Sequence, residues 1–212
     1  MSDSQQFEVT YWGTRGTVAA PLVTEEVTEK IVAAVLRLAE QGQLSDLTGE
    51  AEEAELLRQR IAEHLDFHQR ATYGGNTTCI EIETPDALII IDLGTGSWRL
   101  GAELQKRWSD PSFQGERSAL VLLTHGHVDH TMALPFMKVF YDPENNALIR
   151  GSQSALDCLQ KIFSHENPDQ GVLFPQTLEM FTGLTFGEPI TAGDTLAVGN
   201  TRVLTYALNH PG

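Results

Sequence analysis

Three histidines and an aspartate fall within six residues, His125, His127, Asp129 and His130, directly after the apolar run 119–123. In an extended segment alternate side chains share a side, so His125 and His127 can grip one ion. Asp129 and His130 are adjacent, and a turn there lets them face a second ion close to the first. Neutral imidazole and carboxylate suit zinc, and also iron or manganese. The chain has 7 histidines and three of them lie here, a concentration that a strand end does not need for folding. The expected chemistry is therefore that of a metal site.

The elements that must present this loop are readable from periodicity. Residues 119–123 are a buried strand, and residues 87–91 are another apolar strand, buried on both faces. The second ends in Asp92-Leu93-Gly94-Thr95-Gly96. A carboxylate at a strand tip either orients metal ligands by accepting their hydrogen bonds or satisfies local backbone donors, and the residues alone leave both readings open. Residues 97–107 read as a helix with Leu100 and Leu104 inward, giving a strand-helix-strand order and an α/β layer. Residues 7–12 alternate as a first strand, and residues 13–17, with Gly13 and Gly16, read simply as a turn. Further strands are expected at 79–83, 147–150, 184–186, 195–198 and 201–207, and a helix capped by Ser152 follows the strand at 147–150. His165 sits alone in a loop-like stretch and reads as solvated.

Between residues 24 and 69 the period becomes helical. Val27, Ile31, Ala34, Val35 and Leu38 form one stripe behind a Thr24 cap, with Gly42 ending the pattern, and residues 49–67 form a second helix. This inserted hairpin holds 11 Asp+Glu against 4 Lys+Arg. It must bury its apolar faces on the core, on a partner subunit of a homo-oligomer, or over the site, with packing inside the subunit as the default. His64 and His68 lie at i and i+4 but number only two, and they read as part of a solvated face.

The formal charge of −15 over 212 residues argues against a surface that neutralises nucleic-acid backbones. It leaves room for one small anion at a divalent-metal centre. The length suits one domain, 1–212 with the 24–69 insert. The residues 1–6 carry no secretory signal, and no apolar run approaches membrane-spanning length. Cys79 and Cys158 are far apart and suit a reducing compartment, so a soluble cytoplasmic protein without membrane contact is expected.

The run 124–130 behind a buried strand, together with 91–96, resembles the metallo-β-lactamase superfamily. Residues 11–16, 73–77, 134–136 and 209–212 resemble, more narrowly, a bacterial branch of metal-dependent hydrolases near the phosphodiesterases of phosphonate metabolism and tRNA 3′-processing enzymes. The resemblance implies an αββα sandwich. It assigns His125, His127 and His210 to a first ion, Asp129 and His130 to a second, and a supporting role to Asp92. Two Zn2+ ions are implied, with Mn2+ or Fe as alternatives, and Asp129 would orient or deprotonate the attacking water. The family carries a bridging Asp and a further His beyond the third histidine motif. The chain is thus read as truncated after that motif, with a better-formed first site and a weaker second one. The implied activity is hydrolysis of a small phosphodiester. Alternatives are a lactone, thioester or β-lactam substrate, or a non-catalytic fragment that binds metal or a partner. Substrate-contacting residues are not readable.

Overall fold

The computed structural model describes residues 7–72, 74–164 and 174–210. The expectations for Tyr73, His165, Pro211 and Gly212 lie outside the described residues. Among the described residues the helices are α1 (Thr24–Glu40), α2 (Ala54–His64), α3 (Phe67–Arg70), α4 (Ser97–Trp108) and α5 (Gln153–Phe163). The strands are β1 (Glu8–Gly13), β2 (Cys79–Thr84), β3 (Ala87–Ile91), β4 (Ser118–Leu123), β5 (Asn146–Gly151), β6 (Leu184–Phe186), β7 (Thr195–Val198) and β8 (Thr201–Leu204). They form two compact units, one of Met1–Ala19 with Gly75–Gly212, the other of Ala20–Gly74.

In the first unit, β1 to β6 make one sheet in chain order. β1, β2 and β3 pair antiparallel, and β3, β4, β5 and β6 pair parallel. Parallel neighbours need a crossover, supplied by α4 between β3 and β4 and by α5 between β5 and β6. The period of two sorts the side chains between faces. Ile90, Val121, Leu123, Ala147 and Ile149 pack with Leu100, Leu104 and Trp108 of α4 and Leu156, Leu159 and Phe163 of α5. Ile89, Leu120 and Leu122 face the other way and meet Leu196 of the β7–β8 hairpin. Five of the six residues of β4 are buried, each worth about 1.5–3 kcal/mol for the larger aliphatics. A slip of one residue would exchange both faces, so the register that delivers Thr124 is tightly held. The architecture is mixed α/β, as the sequence implies. The described residues build a helical layer, a six-stranded sheet and a two-stranded ribbon; a second helical layer is not among them.

The helical unit departs from the expected hairpin. Val23, not Thr24, is the residue before the first turn of α1, and the Glu26 carboxylate accepts its N–H at 3.0 Å. The expected helix 49–67 is broken: α2 stops at His64, Leu65 turns extended and buried, and Asp66 opens α3 with Gln69 Oε1 accepting the Asp66 N–H at 3.1 Å. His64 and His68 therefore do not share one helix. Of the α1 stripe only Leu38 is fully buried, while Val27, Ile31 and Val35 are exposed. No helix among the described residues is long and apolar enough to cross a membrane.

Candidate metal centre

β3 and β4 run parallel, and their carboxyl ends are joined where the Asp92 N–H donates to Leu122 O at 2.9 Å. Asp92 then leaves the strand in the left-handed region, φ 63°, a conformation that Asp tolerates better than most side chains. The turn sends its carboxylate across to the neighbouring strand end. Asp92 Oδ1 accepts the Thr124 N–H at 2.8 Å, and both carboxylate oxygens lie 2.9–3.0 Å from the Thr124 hydroxyl. Asp92 Oδ2 also lies 2.7 Å from His130 Nδ1. Of the two readings that the residues left open for Asp92, the structure places its carboxylate on the metal-motif loop.

These contacts fix ring tautomers. A carboxylate only accepts, so His130 Nδ1 carries the proton and Nε2 is bare. The Thr124 hydroxyl spends its proton on Asp92, so at 3.0 Å it accepts from His125 Nδ1 and leaves His125 Nε2 bare as well. His125 Nε2 is buried and has no hydrogen-bond partner. A buried acceptor without a partner costs about 1–3 kcal/mol, which a bound cation would remove.

That nitrogen is not alone. The ligand atoms of His125, His127 and His210 all lie within 4.8 Å of one another. The His125 ring centroid is 4.4 Å from that of His127 and 4.5 Å from that of His210. His125 is half-buried, whereas His127 and His210 are exposed, so the group closes on one side and opens to solvent on the other. Burial, and then the neighbouring His130, His127 and His210 rings, hold the His125 pKa below its ordinary value against the pull of Asp92. A metal ligand must be neutral imidazole, and the site favours that form at His125. The donor set, its convergence and the orphaned nitrogen fit a divalent cation such as zinc.

Asp129 and His130 stand beside this group, on the short 3-10 turn Val128–His130. His130 Nε2 is 3.5 Å from Asp129 Oδ2. Two ligands of one tetrahedral ion at the usual bond lengths are roughly 3.3 Å apart, so the pair has the spacing to share a cation. The Asp92 hydrogen bond raises the His130 pKa, burial opposing it. Burial works against the Asp129 carboxylate, but the Thr17 N–H, its own backbone N–H and the His130 and His125 rings together hold its pKa below the ordinary value.

The Thr17 contact is not visible in the sequence. Thr17 adopts φ 71° and donates its N–H to Asp129 Oδ2 at 2.7 Å. The 13–17 turn is therefore part of the metal loop's support, not a plain connection. The loop is packed from other sides too. A Cβ on Gly126 would lie 2.6 Å from Cys158 Cβ, and Cys158 Sγ donates to Gly126 O at 3.0 Å. A Cβ on Gly94 would collide with Asp129 O and Thr77 Oγ1. A cavity of about 890 Å³ opens instead at the far end of the sheet beside Ser118 and Asn146. Its arginines are already engaged, Arg107 with Glu81 and Glu83 and Arg150 with Glu188 O.

Residues 72–145 match the Metallo-beta-lactamase superfamily. This segment is similar to the metallo-β-lactamase superfamily. The matched stretch contains Asp92 and the whole 124–130 loop, while His210 lies outside it. Metallo-β-lactamase folds are also among the solved structures similar to this chain. A diphosphatase from the PhnP family has 10% identity and a TM-score of 0.40, covering 57% of this chain and 40% of its own. The metallo-beta-lactamase SMB-1, in a complex with mercaptoacetic acid, has 18% identity and a TM-score of 0.41, covering 63% and 48%. BJP-1 of Bradyrhizobium japonicum, a subclass B3 enzyme, has 19% identity and a TM-score of 0.40, covering 63% and 46%. The chain thus spans less than half the length of these three structures. No curated protein sequence matches it.

Proposed function

We propose that this chain carries the metal-binding portion of a metal-dependent hydrolase acting on a small phosphodiester. The observation that carries the reading is the buried, partnerless Nε2 of His125 converging with His127 and His210. His125, His127 and His210 would hold a first divalent ion, and Asp129 with His130 a second. A bound divalent cation lowers the pKa of water toward neutrality and polarises the bond to be cleaved.

The chain's own residues do the positioning. Asp92 holds His130 and, through Thr124, His125, with Nε2 free on each ring. Asp129 is pinned by the Thr17 N–H. One N–H does not exhaust the lone pairs of a carboxylate, so Asp129 can still orient the attacking water. The nucleophile comes from solvent, and no side-chain nucleophile is needed. The exposure of His127 and His210 suits a small substrate approaching an open mouth, and the net charge of −15 weighs against long nucleic acid.

The test pairs metal content with turnover. Purified protein is loaded with Zn2+, its zinc content is measured, and hydrolysis of bis(p-nitrophenyl) phosphate is followed at 405 nm. At least one equivalent of zinc and turnover that falls below detection in His127→Ala support the reading. Turnover confined to lactones or carboxyl esters moves the substrate class. Less than about one equivalent of metal and no hydrolysis leaves a non-catalytic binding role.

A further inference from the structure

Arg15 lies on the turn that the metal loop holds. Two residues on, Thr17 donates its N–H to Asp129 Oδ2, and two residues of chain span at most about 7 Å. On the other side Arg15 pairs with Thr77 in an isolated parallel bridge, and the N–H groups of Thr14 and Arg15 both donate to Asn76 O, at 3.2 and 3.0 Å. Thr77 in turn is locked to Thr95, its N–H donating to Thr95 Oγ1 at 2.9 Å while Thr95 N–H donates to Thr77 Oγ1 at 2.8 Å. Gly94 lies between the two, since a Cβ there would collide with both Thr77 Oγ1 and Asp129 O. The Arg15 backbone is thus held by the 76–77 segment on one side and tied to Asp129 through Thr17 on the other.

Arg15 is exposed, and among the described residues no carboxylate or other acceptor holds its guanidinium. That is notable in a chain with 29 Asp+Glu against 14 Lys+Arg, where Arg60, Arg107 and Arg117 are each paired with an acid. The segments framing the histidines are 13–17, 76–78, 92–96, 124–131 and 208–210, and Arg15 is the one Lys or Arg among their residues. A planar guanidinium matches two oxygens of a phosphate or carboxylate at once.

We infer that Arg15 is the residue that recognises the anionic oxygens of the substrate, so that the site selects a phosphoester anion over a neutral ester. The inference rests on the hydrolase reading for its substrate but not for its binding measurement. Losing a charge-assisted hydrogen bond typically weakens binding about 10- to 100-fold.

The experiment uses the zinc-loaded chain, Arg15→Ala and Arg15→Lys. Inorganic phosphate binding is measured by calorimetry, and turnover is compared for bis(p-nitrophenyl) phosphate and the neutral p-nitrophenyl acetate. The hydrogen bonds that clamp residue 15 come from its backbone, so Arg15→Ala keeps them, and unchanged zinc content confirms an intact site. Phosphate binding weakened about 10- to 100-fold in Arg15→Ala, a similar fall in the ratio of diester to acetate turnover, and partial recovery in Arg15→Lys support the inference. Equal phosphate affinity in parent and Arg15→Ala overturns it, as does an equal loss on both substrates. If neither substrate turns over, the hydrolase reading fails while a phosphate-binding difference still upholds Arg15. If the diester is hydrolysed in a His127-dependent way and Arg15→Ala matches the parent, the reverse holds.

Discussion

Replacing Asp92 separates its two tasks, holding the loop together and setting the tautomer of His130. Asp92 is 1% exposed and accepts from the Thr124 N–H, the Thr124 hydroxyl and His130 Nδ1. Asp92→Ala takes the acceptor from all three donors, which sit on an exposed Thr124 and a half-buried His130, at about 0.5–1.5 kcal/mol each. It also puts Ala at φ 63°, costing about 1–2 kcal/mol. With some relaxation and water entry, a loss of roughly 3–5 kcal/mol is expected.

Asp92→Asn behaves differently. The Thr124 N–H can only donate, so the amide oxygen stays on Thr124 and the NH2 faces His130 Nδ1. Asn tolerates the left-handed backbone, and exchanging a charged acceptor for a neutral one costs only about 1–2 kcal/mol. His130 Nδ1 must then accept, which places the ring proton on Nε2, the atom facing Asp129. A misassigned ligand typically lowers metal affinity about 10- to 100-fold. The assay is urea unfolding of chelator-treated protein, zinc competition against a chromophoric chelator, and long-range 15N–1H correlation of the His130 ring. The expected result for Asp92→Asn is a small stability loss, an Nε2–H tautomer and weakened zinc binding. Parent-like zinc affinity with the Nδ1–H tautomer retained would refute the reasoning.

Two further outcomes follow from the packing. Gly126→Ala drives a methyl against Cys158 on α5, and overpacking of this kind costs about 1–3 kcal/mol. Calorimetry should show Tm lowered by several degrees, and an unchanged Tm would mean that the loop is not seated on that helix. In the helical unit, the Arg60 hydrogen bonds at 2.7 Å, then the backbone at Asp46 itself and the Arg60 charge, bring the Asp46 pKa down to about 2. The folded pKa lies below the unfolded value, so the stability this pair contributes is present above the ordinary Asp range and is lost as pH falls through about 2. Carboxyl 13C titration should place the Asp46 midpoint there, and Arg60→Ala should return it toward 3.8; a parent midpoint already at 3.8 would show that the ion pair does not form.

Some of the molecule was legible because side-chain type and period carry it. The alternation through β3 and β4 was readable since each face must be apolar to pack, and Leu100 and Leu104 were readable on α4 for the same reason. Ser152 announced the start of α5, and its hydroxyl accepts the Ala155 N–H at 3.2 Å. The break at Leu65 was missed because the apolar stripe continued through it, although Asp66 followed by Gln69 is a capping pair that marks a new helix start. The stripe on α1 predicted burial that the structure largely does not give to Val27, Ile31 and Val35. Period reports that a face is apolar and is silent on what covers it.

The sequence by itself determined which residue types could bind a metal, because imidazoles two apart on an extended segment have one spatial outcome. Only the tertiary structure decided how they are held. Asp92 meets Thr124 and His130 across 32 and 38 residues, Thr17 meets Asp129 across 112, and His210 joins His125 from the far side of the chain. The Thr17 contact uses a backbone N–H, which every residue but proline carries, so no side-chain pattern could announce it. The proton on each ring depends on which acceptor sits opposite, and that is a property of folded geometry alone.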